Sequence, residues 1–142
     1  MKKQILILLV LPLLFSCGEK KKIKTDLTLS GINGKVKEIM WAEFNVKEAF
    51  GEIKKDSLIS KYKIYYNVQG NQSSWNQYNT NKLIAKGITE FNEFNKCSEY
   101  TTYNGEGELT QKKKYIYDKN KNKIETNIYN EDGSLSSKYI YI

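Results

Sequence analysis

Side chains able to do covalent or acid–base chemistry are few in this 142-residue chain: two cysteines, Cys17 and Cys97, sixteen acids and no histidine. Without an imidazole, neither a Ser/His/Asp nor a Cys/His arrangement can be assembled, and the commonest metal ligand is missing. Two pairs of acids, Glu90 with Glu93 and Glu106 with Glu108, keep two-carboxylate glycoside chemistry formally open. Both flank reversals rich in Asn and Gly, where acids are usually solvated. Gly105 and Gly107 belong to such a reversal too, not to a phosphate loop, since no strand-to-helix context follows. Cys97 reads as a small buried apolar residue rather than a nucleophile. The expectation is therefore no enzyme, no metal and no cofactor. Recognition chemistry is better served by aromatic rings, and Trp75, Tyr100, Tyr115 and Tyr139 are the candidate exposed binding surface, because they stand outside the tyrosine register set out below.

Cys17 belongs to a different context. Met1-Lys2-Lys3 is a positive n-region, and the apolar run from Ile5 to Phe15 is too short to span a bilayer as a helix, so residues 1–16 read as a signal peptide. The run ends in Leu14-Phe15-Ser16-Cys17, which resembles the bacterial lipobox, with Phe15 where a small residue is usual. The resemblance implies cleavage before Cys17 and its modification with diacylglycerol and palmitate. At about 0.8 kcal/mol per buried methylene, two or three acyl chains hold a domain on a membrane without any spanning helix. The competing reading is an ordinary signal peptide with Cys17 a bystander. Residues 17–33 then read as the lipidated cysteine and a charged tether, and its lysines, where surface-exported lipoproteins of some gram-negative groups carry acids, favour the periplasmic side of an outer membrane.

All 23 basic residues are lysine. Lacking the bidentate fork of arginine, and carrying an export signal, the chain is not expected to bind nucleic acid despite its net charge of +7. The lysines suit solubility, or a loose attraction to anionic envelope polymers.

The elements that must position the aromatics are read from periodicity. From Gly34, Val36, Glu38, Met40, Ala42, Phe44 and Val46 fall on one side of an extended chain, with Lys35, Lys37, Ile39, Trp41 and Glu43 on the other. A polar interruption from Lys47 to Ser57 separates this from a second alternating run, Leu58 to Tyr66, predicting a long-looped opening hairpin over 34–66 whose Trp41 and Phe44 strand supplies the better core. Beyond it the chain repeats. Aromatic-Asx pairs restart at Tyr66, Tyr78, Phe91, Tyr103, Tyr117 and Tyr129, at intervals of 12, 13, 12, 14 and 12 residues. Four positions after each aromatic stands Gly70, Lys82, Asn95, Gly107, Lys121 or Gly133, mostly residues that accept positive φ. Such a unit is one strand and one turn: Asx starts the reversal, and the fourth residue takes the left-handed slot of a type I turn with a bulge. Six units over 66–142 predict an all-β antiparallel meander of hairpins, an open, twisted or curled sheet. The aromatics that open the units are expected to form the sheet's core.

Tyr115-Ile116-Tyr117-Asp118-Lys119-Asn120-Lys121-Asn122-Lys123-Ile124 with Tyr129-Asn130-Glu131-Asp132-Gly133 resembles the YD repeat of the RHS family, although Lys121 replaces the family's Gly; Tyr66-Asn67-Val68-Gln69-Gly70-Asn71 keeps it. MORN-like repeats are a more distant likeness. Covering about residues 58–142, the resemblance implies strand-turn architecture and envelope company. It does not imply an enclosing shell, for which six units are too few. Together these readings point to a cell-envelope lipoprotein acting as a non-catalytic binding module for a glycan or envelope component. The alternative is a structural or immunity-type protein that meets a protein partner through a sheet edge.

Overall fold

The computed structural model describes residues 24–142; the signal segment, Cys17 and the first part of the tether lie outside them. Eight strands follow one another: β1 (Glu38–Ala49), β2 (Glu52–Tyr66), β3 (Gln72–Asn79), β4 (Lys82–Phe91), β5 (Cys97–Asn104), β6 (Leu109–Tyr117), β7 (Lys123–Tyr129) and β8 (Leu135–Ile140). They form one antiparallel sheet in the order β1 to β8, an open meander with β1 and β8 as its two unpaired edges, as the repeat predicts.

The repeat unit has a definite structural meaning. Each of the six repeat aromatics sits where the ladder slips register on entering its turn, at Tyr66, Tyr78, Phe91, Tyr103, Tyr117 and Tyr129. Asx follows and organises the reversal. Asn67 Oδ1 accepts from the backbone N–H of Gln69 and of Asn71, both at 3.0 Å, and Asn92 and Asn104 repeat the pattern two and four residues on. Gly70, Asn95, Gly107, Lys121 and Gly133 take the positive φ, in the slot the spacing assigned. Lys82 does not. There the chain turns in two residues, Asn79 pairs with Lys82, and Thr80 adopts φ 53° instead.

Three other expectations are corrected. The opening hairpin has no long loop: Ala49 pairs with Glu52, and Phe50 and Gly51, at φ 59° and 79°, form a two-residue turn. Two positive φ values match the twist of the flanking strands, and both faces are solvated at this end, so polar residues such as Lys47 and Asp56 continue the ladder and pair at 2.8 Å. The tether reading fails from Thr25 onward. Thr25 and Thr28 cap one another around a single helical turn, α1 (Asp26–Leu29), and Leu27 is buried to 4% exposure against the β2–β3 turn. There the Leu27 N–H donates to Gly70 O at 3.1 Å, and the Gln72 N–H donates to Asp26 Oδ2 at 2.7 Å.

The third correction concerns the core. Leu27 and Ile64 are the only apolar side chains buried among the described residues, and Trp41, expected in the core, is 60% exposed. The sheet is a single layer. The repeat aromatics are half-buried rather than packed between layers, so the fold depends on ladder hydrogen bonds and cross-strand pairs.

Candidate binding face

Because ladder partners share a face and alternate residues change face, the register fixes the composition of each side. On one side Trp41 stands opposite Tyr62, Ile64 opposite Trp75, Trp75 opposite Gly87, and Thr89 opposite Tyr100; Tyr115 and Tyr139 both stand opposite Thr126. The four ring-bearing residues proposed from sequence, Trp75, Tyr100, Tyr115 and Tyr139, thus lie on one face. They trace a diagonal. Trp75 is one rung below the Trp41–Tyr62 rung, Tyr100 one rung below Trp75, and Tyr115 one rung below Tyr100, counting towards the edge that carries α1. Trp41 and Tyr62 extend the band to β1. They were not among the sequence candidates, although the alternation that put Ile39 with Trp41, and Tyr62 with Ile64, already held the signal.

Contacts along the band are direct at its first half. The rings of Trp41 and Tyr62 stack at 6.2 Å between centroids, those of Tyr62 and Trp75 at 5.4 Å, and Trp75 Nε1 donates to the Tyr100 hydroxyl at 3.2 Å. Trp75 reaches so far because Gly87 has no side chain: a Cβ there would lie 2.2 Å from the indole nitrogen. Burial pushes the hydroxyls of Tyr62 and Tyr115 up, helped in both cases by the neighbouring Tyr100. The far half is looser. Lys123 lies over the rings of Tyr115 and Tyr141 at 5.5 and 4.8 Å, and Tyr139 is 53% exposed. Between the rings stand mainly neutral hydrogen-bonding side chains, Gln77, Thr89, Thr102 and Gln111 among them.

The opposite face is ionic. Lys61 covers Tyr78 at 4.6 Å, Lys86 covers Tyr103 at 5.0 Å and Lys114 covers Tyr129 at 6.0 Å. Lys63 pairs with Glu38 at 2.9 Å, Lys112 and Lys114 with Glu99 at 2.6 and 3.5 Å, and Lys138 with Glu125 at 2.9 Å. Burial pushes the Glu99 carboxyl up, but Lys112, Lys114 and Thr101 outweigh it and hold the group below the usual carboxylate range.

Of the four acids raised by the sequence, Glu106 and Glu108 have side-chain partners. Glu90 stands opposite Glu99 in the ladder while Glu93 lies in the following turn. Glu108 accepts from Asn104 Nδ2 at 2.7 Å, and Glu106 reaches Lys82 at 3.6 Å. Cys97 is half-buried where β5 begins, and burial pushes its thiol up. Among the described residues no three acids and cysteines cluster as metal ligands, and no helix is long and apolar enough to cross a membrane. No protein-family model matches the chain, and no curated protein matches it either.

Proposed function

We propose that this chain is a lipid-anchored envelope protein, cleaved and acylated at Cys17 and held on the periplasmic side of a gram-negative outer membrane, whose sheet binds a glycan without catalysis. The observation that carries the reading is the aromatic band from Trp41 to Tyr139 on one open face. A pyranose ring presents C–H groups on its faces and hydroxyls on its rim, so it is matched by aromatic rings interleaved with neutral amides and hydroxyls. The ionic face is less suited, because Tyr78, Tyr103 and Tyr129 on it are covered by lysines.

The test is a glycan array probed with a soluble form starting at Gly18, which keeps every contact described above. Trp41→Ala and Tyr139→Ala should weaken binding about tenfold each, or ~1.4 kcal/mol, while Lys86→Met on the other face leaves it unchanged. A folded protein that binds no glycan sinks this reading. It would leave a second one, motivated by the unpaired edge of β8 with Ile140 exposed: addition of a partner protein's strand, lost when residues 138–142 are deleted.

A further inference from the structure

At the foot of the aromatic face, α1 stands away from the β4–β5 turn and leaves a cavity of about 530 Å³ between them. Its walls differ in kind from the band. Phe91 and Phe94 supply apolar sides, Asn71, Gln72 and Asn95 supply amides, Lys24, Asp26 and Lys96 supply charges, and Cys97 also lines it. The cavity also abuts the band, since Thr89 lines it and stands directly opposite Tyr100 in the ladder. Two features hold its rim in place. The Asp26 carboxylate is tied to the backbone of β3 through the Gln72 N–H, and the Asn71 side chain accepts from the Asp26 N–H at 3.4 Å. Across from them, the positive φ of Asn95 turns the chain so that Phe94 faces Lys121, whose ammonium lies 5.1 Å from the ring.

A few aromatic faces with several amides in a cavity of a few hundred Å³ is the composition of a site for one small polar ring, not for a polymer lying flat. We propose that this cavity is a subsite for the terminal sugar of the glycan, with Phe91 and Phe94 packing on the ring and Asn71, Gln72 and Asn95 meeting its hydroxyls. The proposal rests on the glycan reading of the band and deepens it. The band would hold the body of the chain by stacking, and the cavity would decide which chain end is accepted. Specificity belongs to the cavity, because amides that lose their partners to an ill-fitting sugar discriminate more sharply than a stacking surface.

Cys97 provides the readout. It is the one free cysteine among the described residues and lines the cavity, so a sugar seated there shields it. Iodoacetamide labelling of the form starting at Gly18 would be followed in mildly alkaline buffer, since burial holds the thiol back at neutrality. The probes are N-acetylglucosamine, glucose, galactose, mannose and glucuronic acid as monosaccharides, with oligosaccharides ending in each. One of these sugars should slow labelling at least fivefold and saturably. Phe94→Ala, a change in a turn rather than in the ladder, should abolish that protection, and Trp41→Ala should leave monosaccharide protection intact. If array glycans bind and depend on Trp41 while no sugar alters Cys97 labelling, the subsite is overturned and the band stands. If no sugar acts in either measurement, both fall.

Discussion

The two faces of this sheet draw on the same residue types and put them to opposite use. On one, Trp41, Tyr62, Trp75 and Tyr100 touch one another in a row that ends in the exposed Trp41; on the other, Tyr78, Tyr103 and Tyr129 are each roofed by a lysine. The difference follows from position in the repeat. Tyr78, Tyr103 and Tyr129 open their units at the ladder slips before the turns, and each stands across the ladder from a lysine: Lys61, Lys86 or Lys112. The band is formed by rings with no place in that register. Periodicity therefore builds the scaffold, and departures from periodicity build the aromatic band. A single-layer sheet makes the division visible, because no second layer covers either side.

The largest effect on this comparison should come from Gly87, the position that lets Trp75 cross β4 to Tyr100. Gly87→Val places a branched side chain where the indole lies, and overpacking of this kind costs about 1–3 kcal/mol. The urea midpoint should fall and the tryptophan emission should shift as the ring is displaced. The same change in a Trp75→Ser background should be neutral or stabilising, since a strand glycine costs about 0.5–1 kcal/mol. Equal destabilisation in both backgrounds would mean that Gly87 is needed for some reason other than the indole.

How much of this was legible in the sequence depends on which residues are asked. The meander and five of its six repeat turns could be read, because Asx and a left-handed residue at fixed spacing are local chemistry: Asn67 caps its own turn wherever the sheet happens to lie. That Trp75, Tyr100, Tyr115 and Tyr139 belong together could be suspected from their being off register, but their sharing one face could not be derived. A ladder slip at every repeat aromatic resets the alternation, so parity cannot be carried from one strand to the next by counting. Trp41 was misassigned because a tryptophan in an alternating run ordinarily marks a core, and this sheet has no second layer to bury it. The docking of Leu27 on Gly70 was hidden for a simpler reason. A four-residue helix leaves no periodic signature, and the contact joins positions 43 residues apart.

On the ionic face the sharpest test is Glu99, held between Lys112 and Lys114. Its carboxyl lies below the usual range in the folded state, so the stability it contributes is fully present above the unfolded value of about 4.3 and is lost as pH falls through the folded one. Wild type should therefore lose more stability than Glu99→Gln between about pH 5 and pH 3. At neutral pH the variant should be less stable by about 1 kcal/mol, below the ~1.5–3 kcal/mol of a hydrogen bond to a charged group because the lysines are partly exposed. Urea titrations across that range measure both. Parallel acid curves for the two proteins would show that the lysines do not hold this carboxylate.

The smallest effect, and the one that separates the faces most cleanly, is expected at Lys86. Lys86→Met keeps most of the aliphatic stem that packs on Tyr103 and removes the ammonium above the ring. An exposed cation–π contact contributes about 0.5–1 kcal/mol, so a double-mutant cycle of Lys86→Met with Tyr103→Leu should give a coupling of that size, diminished in high salt. A cycle of Trp41→Ala with Tyr62→Ala on the other face should give a coupling that salt leaves alone, because stacked rings carry no net charge to screen. If both couplings responded to salt alike, the division of the sheet into a stacking face and an ionic face would have to be abandoned.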